Sequence, residues 1–223
     1  MRLNIILLVA AALFTQHTLF AQGAQYQDQD PKAKKILDKV SENTKKHTSI
    51  RAEFESLMEN KQDGIEINQE GSVTIRGNKY ILELGEQKVI SDGKLSWTFF
   101  TADNEVHIND IDDADDVIKP EEFFTIWEQD FKYQYHGDAT LEGVNVAVIK
   151  LHPMEPRDKP YHTVELYVDK AKNQIHQIKV VGKDGTDYTY NIKSFGPETV
   201  LSDADFTFQK SKYPGIDVID MRD

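Results

Sequence analysis

Between Gly71 and Phe100 apolar and polar residues alternate with a period of two, broken only at Gly77-Asn78, Gly85-Glu86 and Asp92-Gly93. Tyr80, Leu82 and Leu84 alternate with Lys79, Ile81 and Glu83, and Leu95, Trp97 and Phe99 alternate with Lys94, Ser96 and Thr98. A period of two places each first set on one face of its strand. Short strands joined by tight turns are the only regular structure this pattern fits, and adjoining strands are expected to pool their large side chains on one wall. Gly93 stands where a hairpin needs a positive φ, which glycine adopts without a Cβ clash. A wall this rich in aromatic groups must be covered, and what covers it bears directly on function.

The same alternation recurs along the chain. Ala52, Phe54 and Ser56 oppose Arg51, Glu53 and Glu55; Ile65 to Gln69 follows a loop at Gln62-Asp63-Gly64; Val106 and Ile108 close the first run of strands. A second run holds Phe131, Tyr133 and Tyr135 before a turn expected at Gly137, then Val144 to Leu151, Val164 to Val168, Ile175 to Val181, and Tyr188 to Ile192. The two prolines of His152 to Lys159 exclude that loop from a sheet interior. Ser202 to Asp205 reads as a helical turn before Phe206-Thr207-Phe208 and an extended tail.

Two stretches break the period. Pro31 suits the first turn of a helix, and Ala33, Ile36, Leu37 and Val40 recur at helical spacing to about Lys46. This amphipathic helix either packs on the core or lies as a lid over the strands. Pro120-Glu121-Glu122 opens a second expected helix, in which Phe123, Phe124, Ile126 and Trp127 cover most of the circumference. Such a helix is either sandwiched in the core or laid across the mouth of a curved sheet. About ten or eleven antiparallel strands with two helices favour a mainly β fold, a strongly curved sheet or incomplete barrel plugged by the helices.

The first residues, with Arg2 followed by the apolar run Ile5 to Leu13 and then Thr18 to Ala21, read as a secretory signal peptide spanning 1–21. The run is shorter than the roughly 20 residues a membrane span needs. Residues 22–223 are then expected to form one domain. The absence of cysteine in an exported chain means that packing alone must hold it. A formal net charge of −12 argues against nucleic acid and anionic membrane surfaces as static partners.

Catalytic patterns are missing. No serine sits in a Gly-x-Ser-x-Gly elbow, there is no glycine-rich phosphate loop, and His47, His107, His136, His152, His162 and His176 are scattered. The acidic run after Asp110 can be aligned with a calcium loop through Asp112, Asp116 and Glu121, but Ala114 and Asp115 fall where that loop needs an oxygen ligand and a glycine. A solvated acidic loop opening a helix is the better reading. Neither an enzyme nor a metal or other cofactor is expected. Aromatic residues on strand faces fit two alternatives: a filled core, or a site for apolar material.

Ser91-Asp92-Gly93-Lys94 followed by Leu95 to Phe100 resembles the S-D-G-K segment and Trp-aromatic strand of the periplasmic outer-membrane lipoprotein carrier LolA family. Gly71 to Leu84 and Phe206-Thr207-Phe208 are similar to two further segments of that family, in the same order. The resemblance implies an unclosed antiparallel barrel with an α-helical lid over an apolar cavity, and a monomeric periplasmic carrier. Its partners would be the acyl chains of lipoproteins, an inner-membrane ABC transporter that loads them, and an outer-membrane acceptor. It further implies that Arg76 latches the lid through backbone carbonyls, although Gly77 replaces the proline common after that arginine. Tyr80, Leu82 and Trp97 fall at positions of the cavity wall. Phe54, Leu84, Phe99, Phe123, Phe124 and Trp127 extend that wall, and Ile36, Leu37 and Val40 mark the lid helix. A sensor or binding module for amphiphiles, a hydrolase using acidic residues, and a structural surface protein stay open beside this reading.

Overall fold

The computed structural model describes residues 29–111, 119–198 and 200–222. Among these described residues one α-helix, α1 (Pro31–Thr44), precedes twelve strands: β1 (Ile50–Asn60), β2 (Ile65–Arg76), β3 (Lys79–Leu84), β4 (Gln87–Ser91), β5 (Leu95–Phe100), β6 (Glu105–Asp110), β7 (Phe131–Leu141), β8 (Val144–Pro153), β9 (Tyr161–Asp169), β10 (Gln174–Gly182), β11 (Thr186–Pro197) and β12 (Asp217–Asp220). All twelve belong to one sheet, in the order β12-β6-β5-β4-β3-β2-β1-β11-β10-β9-β8-β7. Every pairing is antiparallel except that of β12 with β6. The ends, β12 and β7, do not meet, so the barrel is unclosed. Side chains of β3 and β10, well separated in that order, nevertheless line one hollow, so the sheet curls around an inner face.

Turn chemistry accounts for the hairpins. Gly77, Gly85 and Gly93 have φ of 60°, 56° and 86° at the three expected turns. The turn expected at Gly137 is absent: β7 runs on to Leu141, and Gly137 (φ 122°) sits at a bulge opposite β8. The chain reverses instead at Glu142-Gly143, where both residues have positive φ (48° and 79°), the backbone of a two-residue hairpin loop whose twist matches the strands.

The N-terminal helix forms as expected. Asp30 caps it, its Oδ1 accepting from the amides of Lys32 (2.7 Å) and Ala33 (3.1 Å). The same carboxylate accepts from the Tyr135 amide through Oδ2, which ties the start of the helix to β7. Ala33, Leu37, Val40 and Ser41 are buried against the sheet. The expected second helix is not one. Pro120–Glu122 and Ile126–Glu128 are separate 3-10 turns, and Thr125 (φ −146°, ψ 12°) leaves helical geometry between them. Phe123, Phe124, Thr125, Ile126 and Trp127 all restrict side-chain freedom in a helix, so little local preference opposes the break. Breaking also lets four large side chains bury in different directions, which a single helical stripe does not allow.

The interior is divided. The larger cluster fills the inner face from β7 through β11 into β1 and β2, under α1 and Trp127. A second, with Ile90, Trp97, Phe99, Val106 and Ile216, lies on the outer face of β4–β6 beneath Phe208 and Tyr213 of the C-terminal segment. The expectation that Trp97 and Phe99 share a wall with Tyr80 and Leu82 is therefore corrected by register. Tyr80 pairs with Ser91 and Ser91 with Ser96, whereas Ile81 pairs with Ile90 and Ile90 with Trp97. Directly paired residues point to the same side of a sheet, so Trp97 joins Ile81 on the outer face and Ser96 joins Tyr80 on the inner one.

Candidate functional site

The inner face of β2–β5 lies beyond α1, which packs at the other end of the sheet. Val73, Leu82, Val89 and Thr98 form one cross-strand row on it, and Tyr80, Ser91, Ser96 and Asn109 the next. Phe54 of β1, Tyr188, Tyr190 and Ile192 of β11, and Val180 of β10 continue this wall around the curl. Pro120, Phe123 and Phe124 approach from above. Together they enclose an open-mouthed cavity of about 980 Å³, at the upper end of the ~300–1,000 Å³ usual for ligand pockets. Its lining is mainly apolar, with Gln87, Ser96, Thr98, Asn109, Asp110, Lys119, Lys183 and Asp184 among the polar members.

An aromatic partition bounds the hollow on the side of the packed core. The Phe54 ring meets Tyr190 edge-on at 5.8 Å between centroids, and Phe123 meets the same Tyr190 edge-on at 5.2 Å. Phe54 lies directly over Gly71, its cross-strand partner, where an added Cβ would fall 2.6 Å from the ring and 2.9 Å from the Glu83 carbonyl oxygen. Gly71 is thus a close-approach glycine, needed for space rather than for φ. Burial pushes the Tyr190 hydroxyl up to about 12, with Tyr188 adding to it, and burial, followed by Glu122, does the same at Tyr161. These two phenols stay uncharged at neutral pH.

Of the residues singled out from the sequence, Phe54, Tyr80, Leu82, Leu84, Phe123 and Phe124 line this cavity. Trp97 and Phe99 do not; they pack on the opposite side of its wall. Trp127 is buried behind the partition, where its indole Nε1 donates to Ser41 Oγ at 3.2 Å. That bond and the Lys45–Glu128 ion pair (2.7 Å) hold α1 against the 126–128 turn. Leu37 and Val40 are buried at the packed end of the sheet with Ile36 beside them, so α1 does not form the ceiling of the cavity.

Arg76 does bond a backbone carbonyl, that of Leu201, but on the outer face. Its other nitrogen lies 3.3 Å from Asp203, and its guanidinium stands 5.3 Å from the centre of the fully buried Phe206 ring. The latch expected over the cavity is instead an anchor for the C-terminal segment. The register explains this: Arg76 pairs with Lys79, whose side chain also reaches Asp203 (3.6 Å), while the inner positions go to Ile75 and Tyr80.

Residues that reading the sequence missed are Val89, Ser96, Thr98, Tyr161, Val180, Tyr188, Tyr190 and Ile192. The signal for Val89 was present. Counting from Leu82 across the Gly85-Glu86 turn reaches Val89; the next step to Thr98, and from Tyr80 through Ser91 to Ser96, requires the third loop to centre on Gly93-Lys94, one residue beyond the expected Asp92-Gly93. The calcium alignment from Asp110 runs through Asp112 and Asp116, outside the described residues, as does the leader 1–21. Among the described residues no three His, Asp or Glu side chains gather as metal ligands, and no helix is long and apolar enough to cross a membrane.

Residues 20–183 match the family described as outer membrane lipoprotein carrier protein LolA. No curated protein matches the chain in sequence. Among solved structures it is similar to an uncharacterized conserved protein from Thermus thermophilus, with 13% identity and a TM-score of 0.56 over 85% of this chain and 99% of that one. The lipoprotein LppX from Mycobacterium tuberculosis aligns at 12% identity and a TM-score of 0.50, over 78% of this chain and 100% of that one. A LolA superfamily protein from Nitrosomonas europaea aligns at 15% identity and a TM-score of 0.44, over 79% and 97%.

Proposed function

The chain belongs to the outer membrane lipoprotein carrier protein LolA family, and from that premise we propose that it carries lipoproteins by sheltering their acyl chains in the cavity between β2–β5 and β11. It works outside the cytoplasm, in the periplasm, as a monomer and without a chemical step or cofactor. An inner-membrane ABC transporter loads it and an outer-membrane acceptor unloads it. The observation that carries this reading is the cavity itself, about 980 Å³ of mainly apolar space on the inner face of β2–β5.

The physics of transit supports it. Each methylene removed from water contributes roughly 0.8 kcal/mol, so an unescorted acyl chain does not leave a membrane at a useful rate. A hollow with an open mouth and half-buried walls recovers only part of that amount, which keeps the cargo transferable.

The test has two parts. Anilinonaphthalene sulfonate bound in the cavity should be displaced by acylated lipopeptide and not by the same peptide without acyl chains. A preloaded complex should then pass its lipoprotein to outer-membrane vesicles. Absence of displacement would sink the proposal. Displacement without transfer would leave a binding module for amphiphiles in place of a carrier.

A further inference from the structure

We propose that residues 65–69 of β2 are a docking edge for a partner protein, which adds to the sheet an extended segment of alternating basic and apolar residues. β2 pairs with β1 from Ile65 to Ile75, but β3 reaches only Gly71 to Arg76 on its other side. The first part of β2 therefore overhangs with one edge open. The Glu70 carbonyl accepts from the Gly85 amide at 3.1 Å, so Glu70 faces that edge. A residue's N–H and C=O leave an antiparallel strand on the same side, and the side alternates along the strand. Glu66 and Asn68 thus point both backbone groups outward, and among the described residues neither has a backbone partner there.

Open edges invite unwanted pairing, and proteins blunt them with short strands, bulges, charges or covering segments. Both ends of this sheet are blunted. β12 is four residues long. β7 has its bulge at Gly137, and Gln29 and Asp30 lie along it, Asp30 bonding the backbone of Tyr133 and Tyr135. The overhang of β2 has no proline, lysine or bulge, and it shows Ile65 and Ile67, 42% and 45% exposed, on its inner face. Its outer face is acidic. Glu66 stands directly opposite Glu59, and Glu70 opposite Glu55, an arrangement that destabilises the pairing. Lys193 offsets Glu55 at 2.9 Å, whereas Glu66 and Glu70 enter no ion pair among the described residues. A segment pairing antiparallel, as β3 does, sets one residue against Glu66 and another against Asn68, the second within diagonal reach of both Glu66 and Glu70. Basic residues at those two places, with an apolar residue between them over Ile67, answer both faces. A second copy of this chain would bring the same carboxylates and be repelled.

The edge is separate from the acyl cavity, and its test involves no lipid. Hydrogen exchange at the Glu66 and Asn68 amides is followed by NMR in the full chain, with a short capped peptide of alternating lysine and valine as the probe. Both amides should exchange freely without peptide. With peptide at about ten times its dissociation constant they should slow about tenfold, the factor by which binding depletes the free protein. Methylating the lysine amides, which face β2 in this pairing, should abolish the protection, and methylating the valine amides should not. Asn68→Pro removes one outward N–H without touching the ladder to β1 and should weaken binding. If that variant fails to fold, the methylated peptides still decide. Equal protection by a glutamate-valine peptide overturns the basic partner, and protection by neither peptide overturns the docking edge. Protection already present without peptide gives the edge to a second copy, if sedimentation shows a dimer, or to another segment of this chain, and overturns the inference as well. Each of these results leaves the carrier reading as it stands.

Discussion

The two ends of the sheet treat the same inner face in opposite ways. In β8 and β9, Ala147, Ile149, Leu151, Val164, Leu166 and Val168 have no exposed surface, sealed under α1 and Trp127. From β3 to β5 the inner residues Leu82, Leu84, Val89, Ser96 and Thr98 are half-buried and face a hollow. At that second end the packed side is the outer one, where Phe208 and Tyr213 cover Phe99 at 5.7 and 4.7 Å between ring centroids. A single apolar sheet thus keeps a stable empty space because its wall is braced from behind. Packing changes faces along the sheet, and the hollow occupies the inner side where packing has moved to the outer one.

Truncations separate the two ends most strongly. Leu166→Ala in the packed end, and Trp97→Ala in the brace, should each lose about 2–5 kcal/mol in urea unfolding, the range for large-to-small changes in a closed core. Leu82→Ala in the hollow should lose only about 1 kcal/mol, since less apolar area leaves water there, yet it should weaken anilinonaphthalene sulfonate binding. Comparable stability losses at Leu82 and Leu166 would mean that the cavity wall is a core and that the distinction fails.

Gly71→Ala probes the border between the regions. The new methyl group would fall 2.6 Å from the Phe54 ring and 2.9 Å from a backbone oxygen, so the ring must be driven toward the cavity. Overpacking of this kind costs about 1–3 kcal/mol, measurable by thermal unfolding. Dye binding should fall with it. A stable variant with unchanged dye affinity would show that Phe54 is free to move and does not fix the boundary.

How much of this was legible follows from what each signal encodes. The hairpin turns at Gly77, Gly85 and Gly93 were readable because positive φ leaves a residue signature. The helix from Pro31 was readable because Pro31 and the apolar spacing act locally. Alternation told which residues of β5 share a face, but not which face. That depends on pairing across turns, and the family resemblance, extended by aromatic content, put Trp97 and Phe99 on the wrong side. The segment after Pro120 misled for a related reason: apolar crowding marks burial, whereas helix formation also needs residues that retain side-chain freedom. For Arg76, the resemblance foresaw a backbone carbonyl as partner, but which carbonyl depends on where the C-terminal segment packs, a contact 125 positions away in sequence.

The smallest expected effect concerns that anchor, on the brace side of the comparison. Arg76→Leu removes a charged hydrogen bond to the Leu201 carbonyl and the contact with Asp203. Partial exposure screens both, leaving about 1 kcal/mol. The loss should appear as faster hydrogen exchange in residues 201–206 and in β12, with the packed end unchanged. Acid should imitate the variant in part. The Arg76 guanidinium, followed by Lys79, holds the Asp203 carboxyl below its ordinary value of 3.8. A depressed carboxylate favours the folded segment above that value, and its contribution is lost as the pH falls through the lower folded-state value. Protection of residues 201–206 should therefore fall with pH below 3.8 in the unaltered protein, and with a shallower slope in Arg76→Leu, where the carboxyl has less to lose. An identical acid response in both would detach Asp203 from Arg76 and leave the anchoring of the C-terminal segment to its buried rings and its pairing with β6.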